Sequence, residues 1–214
     1  MYLPKHFEET RIEVLHEHIR KHPLATIVTL TSTGLEANHI PLVLDSQGSD
    51  LGILRGHVAR ANSLWREFNT EVETLAIFQG PDSYISPSWY PSKNEHGKVV
   101  PTWNYAVVHA RGSLKVIEDT EWLLKLLEKT TLEHEGQRDV PWRVSDAPAD
   151  FVEKLLGAIV GIELQITSLT GKWKVSQNQK PIDHAGVIEG LRNEGTADAL
   201  AMAELVQKQK SREL

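Results

Sequence analysis

Three stretches gather the side chains that could hold a ligand. In GHVARANSLW (56–65) a strand ends at His57 and a helix is expected to start near Ala59, with Arg60, Ala61 and Asn62 in its first turn. The free N–H groups of such a turn favour an anion, and Arg60 would add a forked cationic donor. An ordinary helix start with a solvated arginine has the same pattern. In PTWNYAVVHA (101–110), strand periodicity separates Thr102, Asn104, Ala106 and Val108 from Trp103, Tyr105, Val107 and His109. The first set offers small polar groups to a heteroaromatic edge, and the second offers bulk for packing. The alternative is that aromatics simply suit strands and Asn104 pairs with a loop. In GKWKVSQN (171–178), Lys172 and Lys174 flank Trp173 ahead of Ser176, Gln177 and Asn178. Such a run could clamp a phosphate or sugar or stack a base, or it could be a solvated turn anchored by its tryptophan.

A fourth feature is an aromatic cluster without a nucleophile. Tyr84, Trp89, Tyr90, Trp103 and Tyr105 are five of the chain's ten Trp and Tyr residues, and Pro81, Pro87, Pro91 and Pro101 punctuate the same region. There is no cysteine, which removes disulfides, thiolate chemistry and Cys-based zinc sites. The dinucleotide, P-loop, hydrolase-elbow and HExxH patterns are also missing. Among ten histidines, His18 and His22 stand at i,i+4 on a charged helix and are read as solvated rather than as metal ligands. One reading is that the chemistry belongs to a flat, anionic cofactor, with the protein as its seat.

The elements that position these residues follow from periodicity. The 214 residues suffice for one domain burying roughly 70% of its unfolded surface. The net charge of −6 argues against a broad phosphate-binding surface. The charged N-terminus and the lack of a ~20-residue apolar run point to a cytoplasmic protein without a membrane span. Helices are expected at 8–21, 59–68, from 119 or 120 onward, and after Asp146 and Pro148 with Phe151, Leu155 and Leu156 as the apolar face. Two more close the chain at about 183–193 and 197–211. Strands are expected at 24–30, 36–44, 51–58, 74–80, 101–110, 109–119 and 160–169, with Pro41 marking an edge or a bulge. Residues 81–100 read as a long loop, and 171–181 as a basic polar loop. Strands in direct succession with helices at the ends suggest an α+β or mainly β fold built on an antiparallel barrel.

AIFQGPDSYISPSWY (76–90), VVPTWNYAVVHARG (99–112) and GKWKVSQN, with GHVARAN upstream, resemble the PaiB family of FMN-binding negative transcriptional regulators nearly end to end. The resemblance implies one split β-barrel domain over 1–214, of the pyridoxamine phosphate oxidase-like kind, with peripheral helices and a helical C-terminal segment at about 183–211. It implies FMN as the cofactor, held where two copies of the chain meet in a homodimer. The related oxidases hold the flavin phosphate with a Ser-Arg-Lys run; here Ala59, Arg60 and Ala61 stand there, so only the arginine matches. By the same resemblance, His39, Ile40 and Pro41 would lie along the isoalloxazine edge and Gln79 would end a strand near the ring. Thr102 and Asn104 would present polar groups, while Lys172, Trp173, Lys174 and Gln177 would approach from the partner. Trp103 and Tyr105 would floor the pocket, with the proline-rich loop over it or across the dimer seam. Pyridoxal phosphate motifs are not evident, so that activity is not carried over.

The family name implies repression, yet the chain offers little for DNA beyond its C-terminal helices and the KWK segment. An FMN-dependent reductase or oxidase is the competing reading, in which the flavin does the redox work. Haem binding is a third, since related barrels hold haem and this chain is rich in histidine.

Overall fold

The structure, a computed structural model, describes residues 1–47 and 49–210. The expected end of the last helix, at residue 211, lies outside the described residues. Eight strands form one antiparallel sheet: β1 (Glu8–Glu9), β2 (Leu24–Thr31), β3 (Gly34–Pro41), β4 (Val43–Asp45), β5 (Ile53–Ala59), β6 (Thr74–Ile85), β7 (Thr102–Ile117) and β8 (Ile159–Lys174). The helices are α1 (Ile12–Lys21), α2 (Leu64–Glu67), α3 (Lys93–His96), α4 (Thr120–Glu135), α5 (Ala149–Gly157), α6 (Pro181–Glu194) and α7 (Ala197–Lys210). The sheet order is β3-β2-β6-β7-β8-β5-β4, with β1 added to β8.

That order carries the barrel argument. β3 and β4 sit at opposite ends of the hydrogen-bonded path, yet Leu42 alone separates them in sequence. β3 pairs with β2, from Leu24↔Pro41 to Thr31↔Gly34, whereas β4 pairs with β5 in the register Val43↔Arg55. The sheet must curl for one residue to join its two edges, and it stays unclosed there: a split barrel. Pro41, which lacks an N–H for a continuing ladder, marks the change of partner, and the Leu42 N–H is taken by the Pro23 carbonyl at 2.8 Å. Gly56 of β5 is where this kink comes closest, since a Cβ there would run into Leu42 and the Pro41 carbonyl.

The chain's contacts divide it into two compact units: unit 1 is Met1–Leu15, Gln79–Val108 and everything described from Thr170 onward, and unit 2 is His16–Phe78 with His109–Leu169. β6, β7 and β8 contribute residues to each. In unit 2 the fully buried Ile19, Ile27, Leu54, Phe78, Ile162 and Leu123 supply the core. β2 alternates as a half-buried strand should, with Ala25, Ile27, Thr29 and Thr31 inward. Arg55 bridges Asp45 and Glu163 at 2.5 and 2.8 Å. Buried His18 sets its Nε2 3.1 Å from the Phe78 carbonyl, which takes the ring N–H of the neutral form. Burial and nearby His22 lower its pKa to about 4, so it is a buried base rather than the solvated one expected. In unit 1, Ile85, Val108, Val175, Val187, Leu191 and Met202 are buried.

Several expectations are corrected. The helix expected at 59–68 shrinks to Leu64–Glu67. The loop expected from 81 instead continues β6, with Pro81, Ser83 and Ile85 buried and Asp82 and Tyr84 exposed, a clean period of two. The two strands expected over 101–119 are one 16-residue strand. GKWK is not a solvated turn: it ends β8, and β1 pairs along it in the register Glu8↔Lys172. On α5 the buried face is Leu156 with half-buried Val152, whereas Phe151 and Leu155 are exposed, so the expected stripe is rotated by one residue.

Candidate functional site

The sequence-selected residues fall into two groups, one in each unit. In unit 2 the expected anion-binding helix start is not formed. The Arg60 N–H goes to the Ala158 carbonyl at 2.8 Å, the Asn62 N–H to the Ala59 carbonyl at 2.8 Å, and the Leu64 N–H to Asn62 Oδ1 at 2.8 Å. The amides that were to meet a phosphate are already used, because Asn62 closes a side-chain turn instead of opening a helix. Asn62 Nδ2 also donates to Asn38 Oδ1 at 2.8 Å.

Arg60 is similarly committed. Nε donates to the Gly157 carbonyl at 3.0 Å, Nη2 to the Ile159 carbonyl at 3.3 Å, and Nη1 to Glu118 at 2.7 Å. Its guanidinium lies 5.7 Å from the centre of the Trp65 ring, and Trp65 Nε1 donates to the Arg60 carbonyl at 3.0 Å. The side chain therefore fastens the end of β5 to the α5–β8 junction. A phosphate approaching Nη1 would compete with Glu118. Elsewhere in unit 2, His39, Pro41 and Ala61 are exposed, Ile40 is buried, and His57 is half-buried with its pKa lowered by burial.

In unit 1 the arrangement is different. β7 turns Asn104 inward, where it pairs with the loop after β8 as one of the two sequence readings has it, and not toward a ligand. Asn104 is 1% exposed and donates to Ser176 Oγ at 2.8 Å, while Trp103 is 55% exposed. The small residues suit the tight interior, and the rings take the outer face. Ser176 adopts φ 63°, a conformation uncommon for a residue with a side chain, and is buried there. Gln177 completes the same turn by accepting from the Val175 N–H at 2.7 Å and donating to the Trp173 carbonyl at 2.5 Å. Trp173 is buried, and Gln79 is exposed.

The outer face then carries aromatic rings beside two lysines. Tyr84 and Trp103 meet edge to face with centroids 6.0 Å apart, and both are exposed. Lys174 Nζ donates to Thr102 Oγ1 and, at 2.7 Å, to the Trp103 carbonyl. Lys172 is only 7% exposed; its Nζ lies 5.1 Å from the Tyr105 ring centre and donates to the Tyr2 carbonyl at 3.1 Å. Among the described residues no carboxylate pairs with either lysine. Burial, together with the charge on Lys172, lowers the Lys174 pKa. Two desolvated cations held only by neutral acceptors and ring faces fit an anion, and the exposed rings fit a flat partner. Residues present here thus suit a flavin mononucleotide.

The proline-rich segment docks on α6 within unit 1. Asp183 accepts from the Ser92 N–H at 3.0 Å and from Ser92 Oγ at 2.7 Å, all of it buried. Trp89 lies against Gly186 and Gly190, where a Cβ would collide with its carbonyl and its indole. Tyr90 is buried beside Asp183, which with burial raises its pKa. Asp183, Ser92 and Tyr2 were missed as positioning residues. The signal for Asp183 was present: Pro181 opens the helix and Asp183 sits in its first turn. Nothing local marks Tyr2.

A split barrel with an anion-ready aromatic face is the class of protein these observations define. Residues 1–168 match the family described as "Putative FMN-binding domain", and the chain belongs to that family. FMN is its cofactor. The chain is 35% identical over 210 residues to Protease synthase and sporulation protein PAI 2 of Bacillus subtilis, covering 97% of each, which bears out the PaiB resemblance. It is 36% identical over 245 residues to Uncharacterized protein AN0679 of Emericella nidulans, again covering 97% of each. Among solved structures, the flavocytochrome Anf3 from Azotobacter vinelandii shares the fold with a TM-score of 0.61 at 13% identity, over 86% of this chain and 78% of that one. No helix among the described residues is long and apolar enough to cross a membrane.

Proposed function

We propose that this protein is an FMN-binding regulator of the PaiB type, working as a homodimer with FMN held where two copies meet. The observation that carries the reading is the outer face of unit 1, where Trp103 and Tyr84 stand exposed and Lys172 and Lys174 have no carboxylate partner among the described residues. Rings of this kind bury a flat ligand at low entropic cost. Lys174 holds Thr102 and the Trp103 backbone in place, so the charge and the ring are positioned by one side chain. Gln79, also in unit 1, is exposed and remains a candidate for the ring edge. When bound, FMN supplies a reversible electron acceptor; the protein orients it and shields it from water.

The regulatory part is supported by similarity to the PAI 2 protein over nearly the whole of each chain. Charge argues that regulation does not run through broad phosphate contacts. Residues 181–210, which include α6 and α7, carry five acidic and three basic side chains. The test is threefold. Freshly purified protein should absorb as a flavoprotein, release a ligand with the mass of FMN on denaturation, and run as two copies in solution. Colourless protein that takes up no flavin on titration overturns the reading. A gel-shift series on promoter DNA, from low to physiological salt, decides whether the DNA contact is direct. No shift at low salt assigns regulation to a partner.

A further inference from the structure

We infer that Lys172 and Lys174 form a phosphate-recognition subsite on the outer face of unit 1, so that the protein selects the phosphorylated flavin over riboflavin, and that Arg60 takes no part in this selection. The inference rests on the reading that FMN binds, and it adds which groups read the charged end of the ligand.

The argument is one of donor accounting. An ammonium has three N–H donors and a guanidinium five. Arg60 directs three of its five donors to two carbonyls and a carboxylate, so its charge already faces an acid at the surface. Lys172 has one polar acceptor, the Tyr2 carbonyl, and otherwise faces the rings of Tyr105 and Tyr2, at 5.1 and 5.8 Å. Lys174 has two neutral acceptors, Thr102 Oγ1 and the Trp103 carbonyl, and no acid among the described residues. Three donors are thus left over on the two ammonium groups, which share one face of β8 because they are two residues apart. A buried cation such as Lys172 is costly without an anion, and the half-buried Lys174 near it adds repulsion. A phosphate dianion removes both penalties and accepts several charge-assisted hydrogen bonds at once. The ring face formed by Trp103 and Tyr84 adjoins Lys174 through the Trp103 backbone, so charge and plane are offered to the same molecule. The chain that supplies the lysines, from residue 169 on, also lies beyond the residues matched to the FMN-binding family, so the family match does not assign them.

The experiment is a titration of flavin-free, full-length protein with FMN and with riboflavin, followed by quenching of flavin fluorescence and by calorimetry. We expect wild type to prefer FMN by at least about tenfold, as lost charge-assisted contacts are commonly of that size. Lys172→Met and Lys174→Met keep the alkyl stem and remove the charge. Each should bring FMN to within about threefold of riboflavin while riboflavin affinity stays within about twofold. Arg60→Ala should keep the wild-type preference. A preference retained in both lysine variants, or abolished by Arg60→Ala, overturns the inference while leaving FMN binding intact. Failure of wild type to bind either flavin overturns the functional reading itself. A second measurement needs no variant: acetylation of wild-type Lys174, read by mass spectrometry, should be slowed by FMN and not by riboflavin. Millimolar inorganic phosphate should compete with FMN and not with riboflavin. Equal protection by both flavins, or none by FMN, overturns the assignment.

Discussion

Arg60 in unit 2 and Lys172 in unit 1 each stand at a strand end beside an aromatic ring, at 5.7 and 5.1 Å from its centre, yet their donors go to different places. Arg60 is tied to Glu118 and to two carbonyls, as Arg55 nearby is tied to Asp45 and Glu163. Among the described residues, Lys172 and Lys174 have only neutral acceptors. The difference teaches that a cation in a promising motif is not thereby a ligand group. What counts is whether the fold has already supplied its anion. Guanidinium suits the first role because its planar fork meets several acceptors in one plane. An ammonium on a buried stem is a compact charge that stays available for a ligand.

The units also differ in how they bury a base, and the largest expected effect breaks or confirms that contrast. Unit 2 buries His18 as the neutral ring, with its pKa lowered to about 4 by desolvation and by His22. The sign follows from linkage. The unfolded chain binds the proton near pH 6.5 and the folded one only near 4, so the contribution is complete above 6.5 and is lost as pH falls toward 4. The loss should reach roughly 3 kcal/mol by pH 4. His18→Gln keeps a donor for the Phe78 carbonyl and does not titrate. Urea unfolding from pH 7.5 to 4 should show that part of the acid loss in wild type and not in the variant. Parallel curves would mean that the imidazole is not buried neutral.

Unit 1 holds its aromatic segment without an ion pair of that segment's own. Its aromatic segment is fastened by close approach: Trp89 lies on Gly186 and Gly190 of α6, and Ser92 on Asp183. Gly190→Ala puts a methyl group into the indole, and overpacking of this kind costs about 1–3 kcal/mol. We expect a loss near 2 kcal/mol, seen as a lower thermal midpoint, together with a red shift of Trp emission as Trp89 lifts. An unchanged midpoint would place the indole elsewhere.

Much of this was legible in the sequence, and the misses share a cause. β2 could be read because its alternation is local and complete, and Pro41 was correctly flagged as an edge or bulge. The split barrel and FMN came from the resemblance to a family, since strand order cannot be read from periodicity. The errors arise where a partner distant in sequence decides. GKWK looked solvated until β1 paired with it, some 160 residues away in sequence. Pro81 suggested a loop, but the alternating burial of 81–85 carries β6 through it. For Asn104 the sequence leaves a ligand and a loop partner both open, and the loop partner it takes, Ser176, is far along the chain. Arg60 looked free for the same reason, as Glu118, Gly157 and Ile159 are all remote.

Arg60→Ala is the smallest expected effect and the one that sharpens the comparison most. If the side chain is a clamp, its removal leaves the carbonyls of Gly157 and Ile159 without this donor at a partly solvated surface. Water can replace much of what is lost there, and the pair with Glu118 is too exposed to contribute much on its own. The cost should be about 1 kcal/mol, with faster hydrogen exchange at the start of β8 and around the Arg60 N–H. FMN affinity should be unchanged within about twofold, a separation that a phosphate ligand could not show. A large loss of FMN affinity without loss of stability would reverse the roles, making Arg60 the group that meets the phosphate and its bond to Glu118 the one that opens on binding.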